Sequence, residues 1–243
     1  MTATVHIGTS GWHYKDWMSV FYPAGSSPSD LLKFYASHFD TVEINNSFYK
    51  LPTIQTFENW RDTTPKKFRF AVKASRFITH MKKLKDPRRS SEQFLLATEH
   101  LGPKLGPILF QLPPRWHLNT QRLKDFLLVL PNGFRYVFEF RDSTWLNPEV
   151  YQILRDHNAA FCVHDFADMK IPREITATFT YVRFHGPTST KYAGSYSDVQ
   201  LRRWAEWIKE QRKLLDGVYV YFNNDPGAAA VRNASTLKRL IAE

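Results

Sequence analysis

Apolar and polar side chains alternate in short runs along this chain, and stretches of helical spacing separate the runs. The clearest run is Thr41-Val42-Glu43-Ile44-Asn45, where Val42 and Ile44 share one side of a strand and Glu43 and Asn45 the other. The same pattern predicts strands over 5–11, 68–75, 108–112, 135–141, 160–165, 179–185 and 218–223. Apolar recurrence every three or four residues predicts helices over 31–39, 53–61, 91–101, 120–130, 148–157, 198–215 and 227–241. Ser29-Asp30 and Asn119-Thr120 supply capping side chains, and Pro148 stands at a favoured first helical position. In the 53–61 helix, Ile54, Phe57 and Trp60 fall on the apolar face. The stretch 76–89 reads as a long basic loop, and 166–178 as a short irregular crossover.

About eight strands thus alternate with about eight helices, with no low-complexity linker, which places 1–243 in a single domain. Such alternation implies parallel strands with helical crossovers. In an open doubly wound sheet, helices cover both faces and the central strands are almost continuously apolar. These strands alternate, as barrel strands do when one side meets helices and the other an interior. The expected fold is α/β, a single (β/α)8 TIM-type barrel with a polar C-terminal mouth.

Aligning the strands by their helix-facing residues assigns the interior positions. They are His6 and Ser10, Glu43 and Asn45, Lys73 and Ser75, Gln111, Glu139 and Arg141, Cys162 and His164, Arg183 and His185, and Tyr219, Tyr221 and Asn223. His6, at the end away from the mouth, reads as a packed core histidine. Barrel interiors are filled mainly by bulky branched residues. Here nearly every strand offers a polar or charged group near its C-terminal end, where barrel enzymes keep their sites.

Charge and cysteine content narrow the chemistry. A formal net charge of +10 over 243 residues favours anionic partners. The single Cys162 excludes an internal disulfide and any cysteine-rich zinc module. The amino terminus carries no charged and apolar signal segment, and no apolar run approaches the roughly 18 residues of a membrane span. The cytoplasm is the expected location, with no membrane partner.

Several runs carry a resemblance to a known family. Ile7-Gly8-Thr9-Ser10-Gly11-Trp12, Val42-Glu43-Ile44-Asn45-Asn46-Ser47-Phe48-Tyr49 and Val72-Lys73-Ala74-Ser75-Arg76-Phe77-Ile78-Thr79-His80 resemble the YecE-like family, a domain of unknown function known as DUF72. Phe110-Gln111-Leu112-Pro113-Pro114, Glu139-Phe140-Arg141, Arg183-Phe184-His185-Gly186, Tyr192-Ala193-Gly194-Ser195-Tyr196 and Tyr221-Phe222-Asn223-Asn224 extend the likeness over essentially the whole chain. The resemblance implies a TIM-type barrel and brings no activity with it.

Glu43 and Glu139, on different strands, are the acid/base candidates, with Lys73 and His185 assisting. Lys73 also has the chemistry of a Schiff-base lysine, against the plainer reading of a salt-bridged one. Arg141 and Arg183 can each grip a phosphate or carboxylate through a planar fork. Ser10, Trp12, Asn45, Tyr49, His80, Gln111, His164, Tyr192, Asn223 and Asn224 complete the expected substrate-binding set. No metal site is expected. Glu43, Glu139, His164, Asp165 and His185 are suitable ligand types without tight ligand spacing, and Lys73, Arg141 and Arg183 oppose a cation. No cofactor is indicated.

The leading expectation is an enzyme acting on a phosphorylated or otherwise anionic small molecule. A second reading is a nucleic-acid-binding protein using the basic loop His80-Met81-Lys82-Lys83-Leu84-Lys85-Asp86-Pro87-Arg88-Arg89 with nearby aromatics. A third is a buried structural network, in which the two glutamates only neutralise Lys73, Arg141 and Arg183.

Overall fold

The computed structural model describes residues 2–166, 169–188, 190 and 192–243. Its strands are β1 (Thr4–Thr9), β2 (Thr41–Ile44), β3 (Arg69–Lys73), β4 (Leu105–Gln111), β5 (Tyr136–Glu139), β6 (Ala160–His164), β7 (Phe179–Phe184) and β8 (Gly217–Phe222). They form one sheet in the order β1-β8-β7-β6-β5-β4-β3-β2. The helices are α1 (Leu31–His38), α2 (Ile54–Thr63), α3 (Pro87–Glu99), α4 (Thr120–Val129), α5 (Pro148–Asp156), α6 (Asp198–Leu214) and α7 (Ala229–Ala242). Parallel strands in sequential order with helices between them make this a (β/α)8 fold of the TIM type.

The chain condenses into two compact units. Met1–Glu43, Val163–Ile171 and Phe179–Glu243 form the first, and Ile44–Cys162 and Pro172–Thr178 the second. In the first unit β8 lies between β1 and β7, with Thr9 beside Phe222 and Phe184 beside Phe222. Past the end of β1, Ser10 bridges to Glu43, and the Gly11 amide donates to the Glu43 carbonyl at 2.8 Å. Gly8 makes this approach sterically feasible, since a Cβ there would come within 2.2 Å of the Thr41 carbonyl oxygen. In the second unit β4 pairs with β3 and β5, and the register sets Gln111 beside Glu139. On the other side of that strand, Phe110 packs on Phe138 and on Phe126 of α4, with ring centroids 5.3 and 5.0 Å apart.

The structure corrects the sequence reading in several places. The tally of about eight helices comes to seven α-helices among the described residues, and 166–178, read as an irregular crossover, carries none of them. The stretch 76–89 is no simple loop. It holds a π-helical turn over Phe77–Met81 and the start of α3 at Pro87. Ile54 does not join Phe57 in the core and is 49% exposed, being the first residue of α2, before the buried face is established. Asp30 stands at the N-cap of α1 without a side-chain capping bond. The last helix starts at Ala229, after a 3-10 turn in which Gly227 and Ala228 both take left-handed backbone angles. His6 is more than packed core, because its Nδ1 lies 2.7 Å from Asp40 Oδ2 and its ring stacks on Tyr219.

Helix α2 has a full amino-terminal cap, with the Thr53 hydroxyl accepting from the Thr56 amide at 3.2 Å. Thr53→Ala is expected to cost about 1 kcal/mol in urea denaturation, with an unchanged denaturant slope.

Candidate functional site

In the first unit, tyrosines take the place of branched aliphatics along the inward side of β7 and β8. Tyr181 and Tyr219 are register partners, as are Arg183 and Tyr221. Burial pushes the Tyr181 and Tyr221 hydroxyls well above their ordinary range, and the nearby Glu43 charge adds to it, so both remain neutral. Above them Glu43 is fully buried. Its Oε1 accepts from Ser10 Oγ at 2.6 Å and from Arg183 Nη2 at 2.7 Å, and its Oε2 accepts from Tyr181 at 2.6 Å. Three donors, one of them a cation, therefore bond the two carboxylate oxygens. Tyr181→Phe removes a donor to a buried charge and is expected to cost about 2 kcal/mol in equilibrium unfolding.

Beside that pair stands Asp225, just after β8. Its Oδ1 is buried and has no hydrogen-bond partner. Burial pushes this carboxyl up to about 7, the charges of Asp16 and Glu43 push the same way, and Tyr14 and Arg183 oppose them. Tyr14 donates its hydroxyl to the Ser10 carbonyl. A third group surrounds His185, which is buried. Asn223 Nδ2 lies 3.2 Å from His185 Nδ1, and the Tyr192 ring packs against the imidazole at 5.6 Å. The His185 amide donates to Asp165 Oδ1 at 2.8 Å, while Tyr196 donates to Asp165 Oδ2 and accepts from the Gly186 amide.

In the second unit, Glu139 at the end of β5 is fully buried. Arg141 Nε and Gln111 Nε2, the latter at 2.8 Å, both donate to its Oε1, and Cys162 Sγ lies 3.8 Å from Oε2. Lys73, at the end of β3, sets its Nζ 4.2 Å from the centroid of the Phe48 ring. That ring meets His80 edge-on at 4.9 Å. Burial pulls the His80 imidazole down to about 4, and the charges of Lys73, Arg76 and Arg141 pull it further the same way. His80 is therefore neutral at pH 7. Its Nδ1 is 2.9 Å from Thr79 Oγ1.

The family model described as "Protein of unknown function DUF72" matches residues 6–243. The chain belongs to the DUF72 family. It is 28% identical to the UPF0759 protein YunF of Bacillus subtilis (strain 168), over 98% of this chain and 94% of that protein. It is 27% identical to the UPF0759 protein YecE of Escherichia coli (strain K12), over 84% of this chain and 82% of that one. A solved DUF72 family protein from Thermotoga maritima MSB8 matches with a TM-score of 0.86 at 29% identity, covering 98% of this chain and 99% of that one.

In this DUF72 protein many of the residues expected from sequence contact one another within each unit. Ser10, Glu43 and Arg183 form one such group, and His185, Tyr192 and Asn223 another, with the His164 ring 6.0 Å from that of His185. Asn224 is buried and donates to the Gly194 carbonyl and to Asn233 Oδ1, both at 2.9 Å, so it braces the loop before α6 against α7. Trp12 is half-buried, and its carbonyl accepts from Tyr22. In the second unit Gln111, Glu139 and Arg141 are bonded together, and the charges of Arg141 and Lys73 both bear on His80. Asn45 is half-buried with its Oδ1 unpartnered, and Tyr49 is 74% exposed.

Sequence reasoning missed Tyr181, Asp225, Tyr196 and the part played by Arg76. Tyr181 had a readable signal, since it lies two residues before Arg183 and so shares its side of the strand. Asp225 had none, because its burial depends on Tyr14 and Trp17, far away in the chain. Among the described residues, no three His, Cys, Asp or Glu side chains are grouped to hold a metal ion. Among the described residues, no helix is long and apolar enough to cross a membrane.

Proposed function

We propose that this DUF72 protein is an enzyme acting on a phosphorylated or otherwise anionic substrate, bound in the second unit at the carboxyl ends of β3 to β5. The observation that carries the reading is the electrostatics of His80. Three cations, Lys73, Arg76 and Arg141, act together on one half-buried imidazole. The neighbouring carboxylate, Glu139, is already committed to Arg141 and Gln111. Three cations gathered around one imidazole favour an anion, and guanidinium and ammonium groups are the donors that bind phosphate or carboxylate.

An anion bound here offsets the three positive charges, so it raises the proton affinity of His80 towards the neutral range. The imidazole then becomes an acid/base group only when substrate is present. Glu139 fixes the direction of Arg141, and Lys73 lies on the Phe48 face, poised to contact the substrate's charged or carbonyl group. The reaction class is a proton transfer next to an anionic group, as in an isomerase, lyase or hydrolase. For the first unit, we propose that Glu43 serves as the fixed counter-ion of Arg183, with His185 oriented by Asn223.

Thermal shifts over a panel of phosphosugars, nucleotides and dicarboxylates test the reading. A ligand at about 100 times its dissociation constant stabilises by roughly 2.7 kcal/mol. Arg76→Ala, an exposed substitution, should abolish the rise while leaving the unliganded midpoint in place. A panel that leaves the midpoint unmoved, or a rise of equal size in Arg76→Ala, contradicts the proposal.

A further inference from the structure

The basic segment next to the anion site is held in shape. Its backbone is fixed by bonds from the Lys82 amide to the Phe77 carbonyl at 2.8 Å and from the Leu84 amide to the Ile78 carbonyl at 3.0 Å. Leu84 is fully buried and anchors the segment, and Arg122 of α4 donates to the Lys83 carbonyl at 3.3 Å. Lys83, Leu84 and Asp86 hold left-handed backbone angles of 48°, 60° and 48°. Non-glycine residues adopt such angles at a cost of about 1 kcal/mol or more, and they persist where the surroundings enforce them. π-helical turns such as Phe77–Met81 are rare and are frequent at functional sites.

The side chains shown by this framework are of two kinds. Lys82, Lys83, Lys85, Arg88 and Arg89 supply positive charge. The acid among them, Asp86, is paired with Lys82 at 3.1 Å, and the first turn of α3 has no acidic residue. Interleaved with the charges, Phe77 is 43% and Met81 66% exposed. Tyr49, 74% exposed, meets the edge of Phe48, which in turn meets His80. Lys82 Nζ lies over the Phe77 ring, 5.8 Å from its centroid. A basic track interleaved with partly exposed aromatic rings is an arrangement that binds single-stranded nucleic acid, with phosphates on the cations and bases on the rings.

We infer that the substrate class of the anion site is a single-stranded nucleic acid, laid along the π-helical turn and the start of α3. The inference rests on the anion site proposed above and names what fills it. A phosphate of the strand lies among Lys73, Arg76 and Arg141, and the flanking nucleotides lie on the basic segment and Phe77.

Fluorescence anisotropy with labelled 12-nucleotide oligo-U and oligo-dT, at several salt concentrations, tests it. The wild-type protein should bind both strands, with affinity falling steeply as salt rises. The combined variant Lys83→Ala, Lys85→Ala, Arg88→Ala, Arg89→Ala should lose affinity and flatten the log–log salt slope by about 3, at about 0.7 per phosphate contact. Phe77→Ala should weaken binding roughly tenfold at unchanged slope, because it removes stacking and no charge. Preference for oligo-U over oligo-dT would mark RNA as the source, and equal binding would mark either strand. Binding that survives the four substitutions, or that ignores Phe77 and is matched by heparin, overturns the inference. Inorganic phosphate separates the two levels. If phosphate still perturbs His80 in a protein that binds no strand, the anion site stands and only the substrate class falls. If strands bind but phosphate leaves His80 untouched, the anion site itself falls.

Discussion

Arg183→Met is expected to destabilise this protein by about 3–5 kcal/mol, the largest loss of any single substitution considered. Arg183 and Glu43 are both fully buried, and Arg183 is the cation bonded to Glu43. Removing it leaves a buried carboxylate with two neutral donors, Ser10 and Tyr181. Two hydrogen bonds do not replace a charge partner at that depth, because desolvation of an isolated carboxylate costs several kcal/mol. The double variant Glu43→Gln, Arg183→Met removes both charges and should recover much of the loss. A double-mutant cycle in urea measures the coupling directly. A cost for Arg183→Met below about 1 kcal/mol, or no recovery in the double variant, contradicts a locked ion pair.

Asp225→Asn carries the second large effect, and its sign depends on pH. The native carboxyl sits at about 7 against an ordinary 3.8, raised first by burial. Between these values the native state keeps a proton that the unfolded chain has released. Stability therefore falls as pH rises from about 4 to 7 and levels off above 7. About three units at 1.36 kcal/mol each make this roughly 4 kcal/mol. Asparagine has nothing to ionise, so the variant should gain on the wild-type protein across that window and hold the gain at pH 8. Unfolding free energies at pH 4 and pH 8 decide it. Parallel pH profiles for the two proteins would show that Asp225 titrates normally.

The fold was legible because alternation is a local signal. Val42 and Ile44 against Glu43 and Asn45 announce a one-sided strand, and the repetition of that pattern separates a barrel from an open sheet. The ends of elements were less legible. Pro87 opens α3 inside a run whose basic composition reads as loop, and the π-helical turn rests on backbone bonds that composition does not report.

At the site, strand parity found Glu43, Arg183, Gln111 and Glu139. Parity says which side a residue faces, and it says nothing of pairing. Each glutamate turned out to have its own arginine, close enough to commit its oxygens. Two groups moved well away from their ordinary proton affinities, Asp225 and His80, lie outside the strands. Their surroundings come from distant residues: Trp17 donates its indole N–H to the Asp225 carbonyl, and Arg141 bears on His80. No one-dimensional pattern encodes such neighbours.

The measurement that bears most directly on the anion site is the titration of His80 by NMR, with and without sulfate, which stays dianionic over the range used. Unliganded, the imidazole should titrate at about 4. Saturating sulfate should raise that midpoint by a unit or more, about 1.4 kcal/mol of coupling, and Arg76→Ala should shrink the rise. A midpoint that sulfate does not move, or one already at the ordinary value of 6.5 in the free protein, would contradict an anion site built from Lys73, Arg76 and Arg141.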